Sequence, residues 1–302
     1  MTICIFGGTG FIGRHLCQEL HARGIAACVV SRNPDRDFLS LHAPSVAALA
    51  ADAPELPGVL ESATVLVYLA SNSLPASNPL DPSHEFGQAA QAAALMAKLR
   101  AVNPDCHVVF ASSGGQVYGR GHEAPIPETA PPAPPTAYAL GKLLMENMLT
   151  FFAQADQLGV TILRVANPVG RWQFDKGHGL VAAAIRSMNL GRPLTIFGDG
   201  RNMRDYFDVE QLVQLLARFD DTRFRPRGVF NIGSGHGMTE CDVIALLETL
   251  TGRKLDLNFA PARPFDLRYA VLDIERARSQ LGWNPETDLS KTVSRLLSQN
   301  RS

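Results

Sequence analysis

A glycine-rich turn, Gly7-Gly8-Thr9-Gly10-Phe11-Ile12-Gly13, stands between a short apolar run (Thr2 to Phe6) and a segment with helical apolar spacing (Phe11 to Arg23), and it limits the fold more tightly than any other feature. Gly7 permits a tight turn after the strand, Gly10 lets the backbone approach a pyrophosphate, and Gly13 lets helix pack closely on strand. An anion held there meets free amides and the positive end of the helix dipole. A glycine turn alone often serves only geometry; its place between strand and helix makes it a dinucleotide fingerprint. Gly24 ends the helix and Ala26 to Val30 reads as a second strand, which completes a βαβ opening.

The alternation continues through strands at Val46 to Ala50, Thr64 to Ala70 and His107 to Ala111, with a helix from about Phe86 to Val102 between the last two. Six prolines from Pro125 to Pro135 stiffen an extended loop that leads into a helix from Tyr138 to about Leu158, and a strand follows at Val160 to Val165. Beyond Gly170 the character changes to a polar, aromatic loop (Arg171 to Gly179), a helix from Leu180 to about Asn189, and Leu194 to Phe197. Asp208 to Phe219 and Val229 to Ile232 read as a helix and strand, and Thr239 to Leu250 as a further helix. The expected fold is α/β: a Rossmann-type doubly wound parallel sheet with a smaller C-terminal substrate-binding lobe. The dinucleotide-binding domain is expected over residues 1–170, with 205–233 returning to it, and the second lobe over 171–204 and 234–302.

Composition removes other classes. In 302 residues, 28 lysines and arginines face 29 aspartates and glutamates, so no global field recruits nucleic acid or an anionic membrane. The five cysteines are odd in number and contain no CxxC pair, which argues against a disulfide framework or a zinc knot. No His/Cys/acid spacing suggests a metal. With no leader pattern and no membrane-length apolar stretch, the expectation is a soluble cytoplasmic protein.

Tyr138 and Lys142 carry the chemistry. A tyrosine hydroxyl has an ordinary pKa of about 10 and becomes a base near neutrality only beside a cation. Lys142, four residues on, shares its helical face. With the glycine loop, the pair points to an oxidoreductase. Cofactor choice is read after the second strand, where an acid would bind the adenosine ribose of NAD. The chain has Val30-Ser31-Arg32-Asn33 there instead. Arg32 with Ser31 suits the extra phosphate of NADP and inclines the reading that way; an exposed turn arginine is the competing explanation. Asp52 is a partner for the adenine amino group or a turn cap.

These residues resemble the extended short-chain dehydrogenase/reductase superfamily, and within it the NAD-dependent epimerase/dehydratase family of UDP-glucose 4-epimerase-like nucleotide-sugar enzymes. The carriers are GGTGFIG (7 to 13), YLAS (68 to 71), SSGGQVYG (112 to 119), YALGK (138 to 142), RVANPVG (164 to 170), IFGDGRNMRDYFDV (196 to 209), NIGSG (231 to 235), RPFD (263 to 266), VLD (271 to 273) and LGWNP (281 to 285). The resemblance implies that Gly10, Phe11, Ile12, Gly13 and Ala70 line the NAD(P) site. It makes Tyr138 the proton-transfer group and Lys142 the residue that binds the nicotinamide ribose and lowers the tyrosine's pKa. The usual third hydroxyl falls on Gly114, a departure, which leaves Ser113, or next Ser112, as its replacement. The resemblance also assigns Asn167, Arg204 and Arg263 to the substrate diphosphate and Leu194 to Phe197 to the nucleobase. The loop with Trp172 and His178 either wraps the substrate or is only a connection.

The implied activity is hydride transfer at C4 of a UDP-hexose, as in an epimerase. The alternatives are an NADPH-dependent reductase of a 4-keto-6-deoxy nucleotide sugar, which Arg32 and Gly114 favour, and a non-catalytic dinucleotide sensor. A dehydratase is disfavoured because Gly115 and Gln116 stand where an Asp-Glu pair would serve elimination. In that family the helices corresponding to 86–102 and 138–158 build a four-helix interface, so a homodimer is implied.

Overall fold

The computed structural model describes residues 2–71, 73, 79–155, 158–176 and 179–299. Its first stretch runs β1 (Thr2–Phe6), α1 (Phe11–Ala22), β2 (Ala27–Ser31), α2 (Arg36–His42), β3 (Ala47–Ala50), α3 (Leu56–Ser62), β4 (Ala63–Tyr68), α4 (Ser83–Val102) and β5 (His107–Ser113). There follow α5 (Gly114–Val117), α6 (Ala137–Ala155), β6 (Val160–Val165), β7 (Asn167–Val169), α7 (Leu180–Leu190), β8 (Leu194–Phe197) and β9 (Met203–Asp208). The remainder is α8 (Val209–Ala217), β10 (Gly228–Ile232), β11 (Gly237–Thr239), α9 (Glu240–Thr251), β12 (Leu257–Ala260), β13 (Tyr269–Ala270), α10 (Glu275–Leu281) and α11 (Leu289–Gln299). Two compact units divide the chain: Met1–Ser113, Thr136–Arg164 and Leu212–Phe230 form one, and Gly114–Pro135, Val165–Gln211 and Asn231–Ser302 the other.

The first unit is built on a seven-stranded sheet ordered β10-β6-β5-β4-β1-β2-β3. β1 pairs in parallel with β2 and β4, β2 with β3, and β4 with β5. β1, β5 and β6 are buried almost end to end, as strands covered on both faces must be, which is why they read as mainly apolar runs. Cys4, Leu66, Val108, Phe110 and Ile162 join Met96 and Leu99 of α4 and Leu149 and Phe152 of α6 in one core. Strand order reverses between β1 and β4, the switch point at which doubly wound sheets open a ligand crevice.

The glycine turn follows its expected logic in atomic terms. Gly7 has φ +83°, and a Cβ there would lie 2.7 Å from the backbone N of Ala70 at the end of β4. A Cβ on Gly13 would lie 2.6 Å from the Gly7 carbonyl and from the Gly8 backbone. Gly10 caps α1 with no side-chain hydrogen bond and no acidic residue in the first turn, which leaves the dipole uncompensated from within.

In the second unit β9 is central: β11 pairs it antiparallel, β13 and β7 parallel, while β12 and β8 form a separate parallel pair. Val169, Ile185, Leu194, Val243, Leu247 and Val293 lie in its core. α9 starts on a reciprocal cap, with Thr239 Oγ1 accepting from the Asp242 amide at 3.1 Å and Asp242 Oδ2 from the Thr239 amide at 2.8 Å.

Several elements differ from the sequence reading. α4 begins at Ser83, three residues before the expected start. A 3-10 turn, Arg171–Lys176, occupies most of the expected polar loop, and His178 lies outside the described residues. β9 had no counterpart because its charged residues concealed it. Among the described residues no helix is long and apolar enough to cross a membrane. All five cysteines are free, with Cys241 exposed and the others buried.

Gly13→Ala is expected to cost about 1–3 kcal/mol, because the added methyl has no room against Gly7 and Gly8. Urea unfolding checks this, and an unchanged midpoint would mean that the turn can widen freely.

Candidate active site

α6 presents Ala139, Lys142, Glu146 and Leu149 at alternating spacings of three and four, which is one helical face, and Tyr138 lies one turn before Lys142. The face meets the C-terminal end of β5. Lys142 Nζ donates to the Ala111 carbonyl at 3.0 Å and lies 5.1 Å from the Phe110 ring centre and 5.7 Å from that of Tyr138. Ser113, the last residue of β5, lies close enough to Tyr138 for its hydroxyl to lower the phenol's pKa. Ser112 points elsewhere: its Oγ donates to Glu146 Oε1 at 2.5 Å. The structure therefore separates the two hydroxyls that sequence left as alternatives.

The electrostatics of the group follow from burial. Enclosure by protein raises the Tyr138 pKa above its ordinary value; the Ser113 hydroxyl pulls it down and the Glu85 charge pushes it up. Burial brings the Lys142 pKa down to about 8, while the carboxylates of Glu85 and Glu146 act in the opposite sense. Glu146 is itself held by Arg164, whose Nη2 donates to Oε2 at 2.7 Å and whose Nε lies 3.1 Å from both carboxylate oxygens.

At the far end of the β2 crevice edge, Arg32 is exposed, as is Asp52 in the turn after β3. Ser31 Oγ is buried without a protein partner. Such an orphaned hydroxyl suits a polar ligand group beside β2. Together with the uncapped start of α1, it makes this edge of the sheet chemically suited to a dinucleotide.

The second unit gathers the three residues assigned to a diphosphate, with acids among them. Arg204 Nη1 donates to the carbonyls of Met203 (2.8 Å) and Leu267 (2.7 Å). Arg263 forks onto Asp266 at 3.0 and 2.9 Å and its guanidinium carbon lies 4.3 Å from the Phe197 ring centre. Arg204 is within electrostatic range of Arg263, Glu240 and Asp266; its own pKa is lowered by burial. Burial raises the Glu240 pKa, and both arginines act against that rise. Asn167 Nδ2 donates to the Asp205 carbonyl at 3.2 Å. Among the described residues no group of three or more His, Cys, Asp or Glu is placed to hold a metal.

Sequence reading missed Glu85, Glu146, Arg164, Asp205 and Glu240. A signal existed for one of them: Glu146 falls on the buried face of α6 with Ala139, Leu149 and Phe152, and a charge on an apolar stripe requires a buried partner.

The model of the NAD dependent epimerase/dehydratase family matches residues 3–233. UDP-glucose 4-epimerase of Azospirillum brasilense is 31% identical over 333 residues, spanning 99% of this chain and 92% of that protein. dTDP-4-dehydro-6-deoxyglucose reductase of Escherichia coli is 26% identical over 309 residues, spanning 99% and 97%. The crystal structure of UDP-glucose 4-epimerase with UDP-glucose from Thermotoga maritima matches with a TM-score of 0.87 at 27% identity, over 100% of both chains.

Glu146→Ala would strand the Arg164 guanidinium in the interior, at an expected cost of about 3–5 kcal/mol. Chemical denaturation measures it; a loss under about 1 kcal/mol, the scale of an exposed pair, would contradict the buried-pair description.

Proposed function

The chain belongs to the NAD dependent epimerase/dehydratase family, and from that premise we propose that it is a 4-epimerase of a UDP-hexose. The observation that carries this reading is the cluster at the end of β5, where the Ser113 hydroxyl is near enough to lower the Tyr138 pKa and Lys142 lies beside the same ring. In this reading the first unit binds the dinucleotide and the second binds the nucleotide sugar.

NAD would be held by the amides of Gly10, Phe11, Ile12 and Gly13 at its pyrophosphate, by Gly7 and Ala70 along the crevice, and by Ser31, Arg32 and Asp52 at its adenosine end. When bound, it supplies the hydride acceptor and donor. Tyr138 removes the proton from the C4 hydroxyl of the sugar and returns it after the keto sugar has turned over. Ser113 donates a hydrogen bond to the reacting oxygen. Lys142 holds the nicotinamide ribose and keeps a positive charge beside the phenolate, which opposes the effect of burial on Tyr138. Asn167, Arg204 and Arg263 bind the diphosphate, for which guanidinium forks are suited. The protein acts as a homodimer in the cytoplasm, where nucleotide sugars are made; exposed Phe86 of α4 and Phe151 of α6 are apolar enough for the shared face.

The Escherichia coli relative supports a second reading, an NADPH-dependent reductase of a 4-keto-6-deoxy nucleotide sugar, since it aligns with 99% of the chain. Arg32 and the absence of an acid after β2 point the same way. Cofactor retention discriminates. An epimerase has zero net redox change and keeps its dinucleotide through each cycle, whereas a reductase exchanges it.

Mass spectrometry of the cofactor released on denaturation is expected to find NAD on most chains, and UDP-glucose is expected to equilibrate with UDP-galactose. Tyr138→Phe should reduce that rate about 10²–10⁴-fold with cofactor still bound. A protein that purifies empty, prefers NADPH and consumes it on a 4-keto-6-deoxy nucleotide sugar would replace the epimerase reading with the reductase.

A further inference from the structure

Lys142 is a half-buried cation whose nearest acid on its own helix is already matched. Glu146 gives its carboxylate to Arg164 and accepts from Ser112. A second acid comes from α4. Glu85, in the first turn of that helix, is only 7% exposed. Its carboxylate lies against Gly141, the residue before Lys142: a Cβ at 141 would fall 2.9 Å from both Cβ and Cδ of Glu85. The glycine therefore leaves the space that Glu85 fills. Glu85, Lys142, Gly141, Gln88, Ala70 and Ser71 line one small cavity.

We propose that Glu85 is a positioning residue for the Tyr138–Lys142 pair: it supplies, across the α4–α6 contact, the counter-charge that keeps Lys142 a cation inside the protein. The inference rests on the function proposed above, in which the Lys142 charge stabilises the Tyr138 phenolate. Glu85 acts through Lys142.

The charge inventory supports the assignment. Facing Lys142 are Glu85 from α4, Tyr138 and Glu146 from α6, Tyr68 from β4 and, through Glu146, Arg164 from β6; β5 offers the Ala111 carbonyl. Lys142 and Arg164 thus stand against Glu85 and Glu146, and with Arg164 bound to Glu146 the remaining acid is Glu85. Gln88 Nε2 donates to Glu85 Oε2 at 3.4 Å, and His84 Nδ1 lies 3.8 Å from Oε1 at the exposed side. Glu85 also raises the Tyr138 pKa directly, so its removal lowers the pKa of both partners, which favours the Tyr138 phenolate and disfavours the Lys142 ammonium. Since burial has already brought Lys142 to about 8, losing one of its two supporting carboxylates carries its titration toward neutral pH.

The test reads Lys142 itself. In full-length protein with Cε-labelled lysine, a carbon-13 NMR titration follows the Lys142 signal, assigned by its loss in Lys142→Met. Wild type, Glu85→Gln and Glu85→Asp are compared. Glu85→Gln is expected to lower the Lys142 midpoint by roughly 1 pH unit or more, the effect of losing a nearby opposite charge. Glu85→Asp, which keeps the charge one methylene farther away, is expected to give a smaller shift in the same direction. The alkaline limb of UDP-glucose epimerisation should move down with the midpoint. No downward shift in either variant overturns the proposal, and so does an equal shift in both, which would mark a packing effect. Should Glu85→Gln fail to fold, the Glu85→Asp titration decides by itself. A midpoint that moves in a protein inactive on nucleotide sugars would leave this role for Glu85 standing and remove the proposed function; an active protein with an unmoved midpoint would do the reverse.

Discussion

The places of Tyr138 and Lys142 depend on one buried carboxylate. Glu146 receives Arg164 from β6 and Ser112 from β5, so α6 is tied to two neighbouring strands of the sheet at one point. Desolvating such a pair is costly, and only near-complete hydrogen bonding makes it tolerable. That demand fixes the helix in rotation and in register. One turn earlier, Lys142 then reaches the Ala111 carbonyl, and one turn before that Tyr138 reaches Ser113. A rotation of α6 by one residue, about 100°, would turn Lys142 away from β5 and break the Glu146 contacts together.

The second unit uses a buried acid in the same manner. Asp205 lies in β9 and is fully buried; its carboxylate accepts from the Ser234 amide and hydroxyl at 2.6 Å each, from the Gly235 amide at 3.1 Å and from the Leu272 amide at 3.3 Å. Burial raises its pKa and these four bonds oppose the rise. Three separate stretches of chain meet on one side chain. This accounts for the NIGSG run, because a Cβ at Gly233 would collide with the same carboxylate. It also accounts for Arg204, whose neighbour in β9 is thereby immobilised.

The glycine turn and the alternating strands of the first unit were legible because their signals are local: apolar runs of strand length, a glycine where φ is positive, a glycine where helix and strand touch. β9 was not. Met203 to Asp208 carries three charged residues in six, and its pairing with β11, β13 and β7, elements distant in sequence, is what makes a strand of it. The choice between Ser112 and Ser113 was equally closed to sequence, since both meet α6 and only the fold shows that Ser112 is taken by Glu146 while Ser113 meets Tyr138. Gly114 removed the usual hydroxyl position, yet β5 runs through Ser113 and α5 begins at the next residue, so the last strand side chain is the one that meets Tyr138. Glu85 was hidden for a related reason. An acid in the first turn of an alanine-rich helix reads as a favourable dipole partner at the surface, and its burial becomes visible only when Gly141 is seen against it.

On the proposed function, the arginines of the second unit recognise a diphosphate by arrangement more than by net charge. Arg204 and Arg263 stand among Glu240 and Asp266, so two positive charges are already balanced by two negative ones. What the acids and carbonyls do is aim the guanidinium groups. Arg204 commits Nη1 to two carbonyls, and Arg263 commits Nε and Nη2 to Asp266 while its guanidinium carbon lies over the Phe197 ring. Each guanidinium has five N–H donors, so each retains donors whose directions are set before any ligand arrives. A balanced cluster attracts anions weakly at long range but loses little side-chain entropy on contact. That is consistent with a chain of net charge −1, in which no large positive field gathers phosphates and selectivity must come from directed hydrogen bonds.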